Sequence, residues 1–377
     1  MNQPTNNIVV TPENYYDVTA YDSFSGLKTF SKCPNLFREQ YLEKTYVEPE
    51  QDHFIYGQIV DIFLTEGGRD GLAKKFLRVT RRVSPEDITD LRAKIAKARE
   101  EIESMGLEEK VAKGNKTAIK GLESRNAIIL KCEEEINIAS GALNPNIKQV
   151  VASLYDDALI CAAAISTNPT FKTLEFTQFT AQQVFVNEQR GIKGKLDYVR
   201  FHPVAQRVYE LWKTGIIKTQ EEFRTQMDAL PLECRRGVIV DIKTTARLRE
   251  VDPDIWSGQL ASYQDLVEHV TGIKCECYIV VGDKTDQHHT QDFIFSQERL
   301  DFWKPTIYQY LALIKQARAT NVWESAKELE GINQACWKCS ACAQRPFSTN
   351  QPFLVTGSLK DMKTSQTGYG FGTASED

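Results

Sequence analysis

Phe24, Leu27 and Phe30 recur at helical intervals behind Ser23, so their spacing predicts a helix over Tyr21 to Phe30. Cys33-Pro34 interrupts it, because proline lacks an amide hydrogen and crowds the preceding turn, and Leu36, Phe37 and Tyr41 open a second short amphipathic piece. Gly57 to Leu64 reads as a buried helix carrying one carboxylate, Asp61. From about 84 to 135, Lys, Glu, Ala and Arg surround sparse apolar positions at helical spacing, which predicts exposed helices without chemistry of their own. The period then changes. Gln183 to Asn187 and Lys193 to Phe201 are strand-like runs around the turn-forming Gly191, the pattern of a hairpin. After a helical insertion at about 204–230, Gly237 to Thr244 is a nearly continuous apolar run, predicting a central strand buried on both faces. A helix from Asp254 to about His269, a strand over Cys275 to Val281, an edge strand over Gln291 to Phe295 and a helix over 297–318 complete the order. Strands separated by helices predict an α/β core with a central mixed sheet flanked by helices and interrupted by helical insertions. Residues 1–20 read as a flexible N-terminus, 21–347 as one domain, and the Gly-, Ser-, Thr- and Lys-rich 348–377 as a disordered tail.

Composition narrows the function. No apolar run can cross a bilayer, and the start of the chain lacks the basic and apolar regions of a secretory signal. A reducing cytoplasm, of a bacterium or of an infected host cell, is therefore the expected location. Nine cysteines there do not form a disulfide framework. A net charge of −5 argues against a protein that coats nucleic acid, but an enzyme needs only a local basic groove.

The chemistry concentrates on Asp241-Ile242-Lys243, at the end of the best strand. The strand period of two puts Asp241 and Lys243 on one face. An Asp-x-Lys triplet is common, and Asp361-Met362-Lys363 matches the same loose pattern outside any strand. Context gives this one weight: a hairpin carrying Asp197 precedes it, and a helix displaying Gln259 and Tyr263 one turn apart follows it. Hydrolysis of a phosphodiester requires an activated water and neutralisation of charge on the phosphoryl oxygens. Hard divalent cations held by converging carboxylates supply both, so Mg²⁺, with Mn²⁺ as substitute, is the expected ion on Asp197 and Asp241. Lys243 would position the water and stabilise developing negative charge.

In these residues the sequence resembles the RecB-like and phage exonuclease VIII-like branch of the PD-(D/E)xK nucleases. The matching segments run in order through Ser31 to Pro34, Gly57 to Leu64, Gly194 to Asp197, Val240 to Thr245 and Gln259 to Tyr263. The resemblance implies a restriction-endonuclease-like core, metal binding by Asp197 and Asp241, a catalytic Lys243, and a Gln259/Tyr263 helix that positions DNA. It also implies a deoxyribonuclease, in the exonucleolytic mode, of recombination, repair or phage genome metabolism, with a recombinase, annealing protein or helicase as partner. Three departures stand out. Asp61 occupies the place where many relatives carry a metal-binding His, making it a candidate third ligand; Gln182 and Gln183 stand where relatives often have Glu; and the stretch between Asp197 and Asp241 is long.

Cys336, Cys339 and Cys342 offer three soft ligands at even spacing. By resemblance to nucleases that close a cluster with one early and three late cysteines, Cys33 is the fourth. A [4Fe–4S] cluster, structural zinc and reduced thiols all remain open at this point. So does a degenerate core that binds DNA, or serves as a scaffold in a helicase or recombinase assembly, without cutting.

Overall fold

The computed structural model describes residues 9–324, apart from 81, 83, 143–146, 174–179 and 286. Contacts divide the chain into two compact units, one from the described residues of Met1–Glu50 and Ala163–Asp377, the other Gln51–Ala162. The first unit opens with α1 (Phe24–Lys32) and α2 (Pro34–Phe37). The second contains α3 (Asp52–Thr65), α4 (Arg69–Ala73), β1 (Phe76–Val79), α5 (Pro85–Ser104), α6 (Leu107–Ala112), α7 (Lys116–Ala142), β2 (Lys148–Val151) and most of α8 (Ala152–Ser166). The first unit resumes with α9 (Pro169–Thr173), β3 (Thr180–Asn187), β4 (Ile192–Phe201), α10 (Pro203–Lys213) and α11 (Gln220–Asp228). It closes with β5 (Gly237–Thr245), α12 (Asp254–Thr271), β6 (Glu276–Asp283), β7 (Thr290–Phe295) and α13 (Gln297–Thr320).

The fold is α/β, with a five-stranded mixed sheet in the order β3-β4-β5-β6-β7 flanked by helices. Only β5 and β6 pair in parallel; the other neighbours are antiparallel. That single parallel pair governs the architecture. Two adjacent parallel strands need a crossover, and the intervening chain supplies α12, which must lie back across the sheet. Its burial shows that it does: Leu260, Ala261, Leu266 and Val267 are fully enclosed, and Gly272 ends the helix in the left-handed conformation at φ 77°. The predicted central strand is β5, in which Ile239, Val240 and Ile242 are all buried. No helix among the described residues is long and apolar enough to cross a membrane.

Three helices meet at Gly258 of α12. A methyl group placed there would sit 2.9 Å from Phe24 Cζ of α1 and 3.2 Å from Trp303 Cδ2 of α13, so the missing side chain lets both aromatic rings reach the helix backbone.

The second unit has its own small core. α5 and α7 form the expected helical pair, joined through Leu91, Ile95 and Cys132 and by ion pairs from Arg125 to Glu101 and Arg99 to Glu133. Ser84 and Asp87 close a capping box at the start of α5. The sequence predicts an insertion within one domain; in the structure the segment joins α3, α4, β1, β2 and α8 as a separate compact unit.

Residues 15–22, in part within the stretch expected to be loose, are held by specific contacts. The buried Lys193 of β4 donates to the carbonyls of Tyr15 and Val18, and Arg318 of α13 donates to Thr19 O at 3.0 Å and to Asp22 at 2.6 Å. Asp22 then bridges in parallel to Ile192. Composition signals disorder in this stretch because it has few apolar anchors, but its backbone carbonyls are held by cations that lie far along the chain.

Replacement of Gly258 by Ala is expected to destabilise the fold by about 1–3 kcal/mol, the usual cost of overpacking, and a lower urea midpoint measures it. Burial also depresses Lys193 from its ordinary 10.5 to about 8. Between those values the unfolded chain binds the Lys193 proton and the folded chain does not, so this group makes stability rise with pH across that interval. Urea titrations of wild type and Lys193→Gln are expected to show wild type gaining on the variant as pH climbs from about 8 toward 10.5; parallel profiles would refute this.

Candidate active site

The β4/β5 ladder runs from Phe201↔Gly237 to Tyr198↔Val240 and stops. Continued by one residue, the same register sets Asp197 opposite Asp241. The ladder on the other side of β4 is broken at the same place: Ala181 pairs with Tyr198 and Gln183 with Leu196, while Gln182, facing Asp197 in register, takes a φ of 52°. A buried, non-glycine residue in the left-handed region is costly, and such positions collect at functional sites. Asp197 thus stands where the ladder to β5 has ended and the ladder to β3 is interrupted. Its side chain takes over from the missing strand, Oδ2 accepting the Ile242 amide at 2.9 Å.

That amide lies between the other two residues of the site. Asp241 is only 1% exposed, and Lys243 Nζ approaches its Oδ2 to 2.6 Å from the same face of β5. The contact is an ion pair whose angles miss those of a hydrogen bond, so the buried Oδ2 has no aligned donor. From α12, Gln259 Nε2 reaches Asp241 Oδ1 at 3.4 Å and Tyr263 Oη at 2.8 Å. Tyr263 is half-buried, and desolvation of its hydroxyl, reinforced by the charges of Asp241 and Asp197, raises the phenol well above its usual range. Tyr263 comes this close because β4 carries Gly194: a methyl group there would sit 2.7 Å from Leu266 Cδ1 and 3.1 Å from Tyr263 Cδ1. A glycine inside a strand was the sequence signal for that approach.

The structure therefore gathers Asp197, Asp241, Lys243, Gln259 and Tyr263. Two carboxylates, one with a buried oxygen lacking an aligned donor, form a hard-oxygen set that fits a divalent cation of the Mg²⁺ or Mn²⁺ kind. Among the described residues no three His, Cys, Asp or Glu side chains converge as a ready ligand group. Asp61 lies on α3 in the second unit, where the Thr65 hydroxyl donates to its backbone carbonyl at 2.8 Å. Gln183 is committed elsewhere, its Oε1 accepting from Lys213 Nζ at 2.7 Å and its Nε2 donating to Ala181 O at 2.8 Å.

Cys33 is fully buried and caps α2, its thiol accepting the Leu36 amide at 3.4 Å. Beside it Asn35 donates to Glu324 O at 2.9 Å, and Phe37 stacks on Trp323. Cys336, Cys339 and Cys342, like the 348–377 tail, lie outside the described residues. Cys275 and Cys277 are buried beneath α12, and burial pushes both thiols up, as expected of core residues.

No protein-family model matches the sequence, and no curated protein matches it. Among solved structures the chain is similar to the crystal structure of a candidate exonuclease from Eubacterium rectale, at 12% identity and a TM-score of 0.47, over 96% of this chain and 100% of that one. A likeness at that level carries no weight for the site, whose reading rests on the residues themselves.

Proposed function

We propose that this chain is a divalent-cation-dependent deoxyribonuclease with a PD-(D/E)xK-type core, acting as an exonuclease in recombination, repair or phage genome metabolism. The observation that carries the reading is the buried Asp241, held between Lys243 and Gln259 and facing the interrupted ladder position of Asp197.

The charges suit a phosphodiester. Two carboxylates against one ammonium leave the site one negative charge in excess, repelling a phosphate until a divalent cation reverses the sign. Asp197 and Asp241 would hold that cation, which when bound supplies Lewis-acid activation of water and neutralises the phosphoryl oxygens. Lys243, paired with Asp241, would position the attacking water and stabilise the negative charge that develops on a phosphoryl oxygen. Gln259 fixes Asp241 relative to Tyr263, and the raised phenol keeps the Tyr263 hydroxyl protonated, as a donor toward substrate, throughout the neutral range. Within this reading a recombinase, annealing protein or helicase is the partner chemistry.

The late cysteines complete the proposal. Cys33 with Cys336, Cys339 and Cys342 would hold a [4Fe–4S] cluster as a staple between the N-terminal helices and the chain beyond α13. Supporting it, Cys33 lies two residues from the Asn35 contact with Glu324, and Cys336, twelve residues further on, is within a chain reach of about 40 Å.

Two experiments test these statements. With Mg²⁺ or Mn²⁺, wild type is expected to degrade end-labelled linear DNA and spare closed circles. Asp241→Ala and Lys243→Ala should each lose at least about 100-fold in rate, the scale of losing a charged group at a reacting phosphate. Nicking of circles would convert the reading to an endonuclease. Binding without cleavage by all three proteins would replace it with a degenerate DNA-binding module, which Gln182 and Gln183 in place of acidic residues would then explain. For the cluster, protein purified without air is expected to show the broad visible absorption of iron–sulfide bonds, lost in Cys33→Ser; bound zinc without colour, or no metal at all, would remove it.

A further inference from the structure

The turn Asn14–Val18 presents two adjacent tyrosines in opposite ways. Tyr15 is 7% exposed and points inward, its hydroxyl meeting the backbone of Lys195 and the Ser23 side chain. Tyr16 is 73% exposed, packs edge-on against Tyr15 with ring centroids 5.2 Å apart, and has the Lys195 ammonium 5.4 Å from its ring centre. Lys195 precedes Asp197 by two residues on β4, and its ammonium faces the Tyr16 ring, so this exposed ring lies over the strand that carries Asp197.

We propose that Tyr16 and Lys195 form a subsite that stacks an unpaired base of the DNA strand entering the site and grips the adjoining phosphate; the inference rests on the nuclease reading above and names the form of its substrate. A nucleotide offers a flat π-face and an anion side by side, and Tyr16 with Lys195 offers the two complements in the same order. The faces of an interior paired base are covered by its neighbours in the duplex, so away from a duplex end only a single-stranded nucleotide can reach the ring. The platform is also rigid. Tyr15 O and Val18 O are held by Lys193, the Asp17 and Val18 amides close onto Asn14 O at 2.9 and 3.2 Å, and Lys44 Nζ pairs with Asp17 at 3.1 Å. An aromatic ring on a mobile arm would lose ordering entropy on stacking; on this turn most of that entropy is already lost in the free protein.

The test is fluorescence anisotropy with an end-labelled single-stranded oligonucleotide and with an internally labelled closed duplex minicircle, with Ca²⁺ in place of Mg²⁺ so that the carboxylates hold a cation while cutting is suppressed. Tyr16→Ala is expected to weaken single-strand binding about tenfold and Tyr16→Phe, which keeps the ring face, by no more than about twofold, with duplex binding unchanged in both. Lys195→Gln should weaken single-strand binding and flatten its dependence on salt. Single-strand binding by Tyr16→Ala equal to wild type overturns the subsite, as does an equal loss on duplex or an equal loss in Tyr16→Phe. Should wild type bind no DNA, this inference and the nuclease reading fall together; should wild type cut DNA while Tyr16→Ala binds normally, the subsite alone is lost.

Discussion

One hydrogen bond organises the site: the Ile242 amide donating to the Asp197 carboxylate. Every interior strand amide must find an acceptor, because leaving one unpaired in the interior costs about as much as a lost hydrogen bond. Where β4 turns away from β5 after Tyr198↔Val240, the next amide would be orphaned, and a side chain fills the place of the strand. Satisfying the backbone thus pins Asp197 within one residue of Asp241 on the neighbouring strand. The same departure leaves Gln182 in a left-handed conformation opposite it. Structural necessity and the gathering of two carboxylates are one event here.

Bringing Asp241 almost wholly out of water carries a desolvation cost that Lys243 offsets. A buried pair of this kind contributes little to net stability, and its value lies in holding charge where it can act. The angle of the pair matters as much as its distance. A fully aligned lysine would occupy one lone-pair site of Oδ2, whereas the observed approach offsets the charge without an aligned hydrogen bond to that oxygen. α12 completes the arrangement, since the parallel β5/β6 pair forces it across the sheet and Gly194 lets Tyr263 descend to the level of the carboxylates.

The buried Lys193 and the half-buried Arg318 do similar service at the edge of the site. Lys193 and Arg318 gather backbone carbonyls of 15–19, so with the buried Tyr15 this stretch becomes part of the wall around β4. Retaining an ammonium in that setting opposes burial, and Lys193 answers by titrating near 8. A neutral amine still has two hydrogens for the two carbonyls, so loss of the proton relieves desolvation without removing either donor.

The chain order and period alone determined most of the architecture. The nearly continuous apolar run of Gly237 to Thr244 is the pattern of a strand covered on both faces, and the alternation of that strand placed Asp241 and Lys243 on one side. Gln259 and Tyr263, four residues apart on a helix, likewise had to share a face. Local periodicity is legible because it follows from backbone geometry. Contacts between residues distant in the chain are not periodic, and these only the tertiary structure decided. The Asp197 bond to Ile242, the left-handed Gln182, the commitment of Gln183 to Lys213, and the tethering of Tyr15 by Lys193 each depend on where separate strands diverge or which carbonyl a buried charge can reach. The grouping of Asp61 with the charged helices of 51–162 belongs to the same class, because contact density across the whole chain, rather than the pattern of any one segment, sets the boundary of a compact unit.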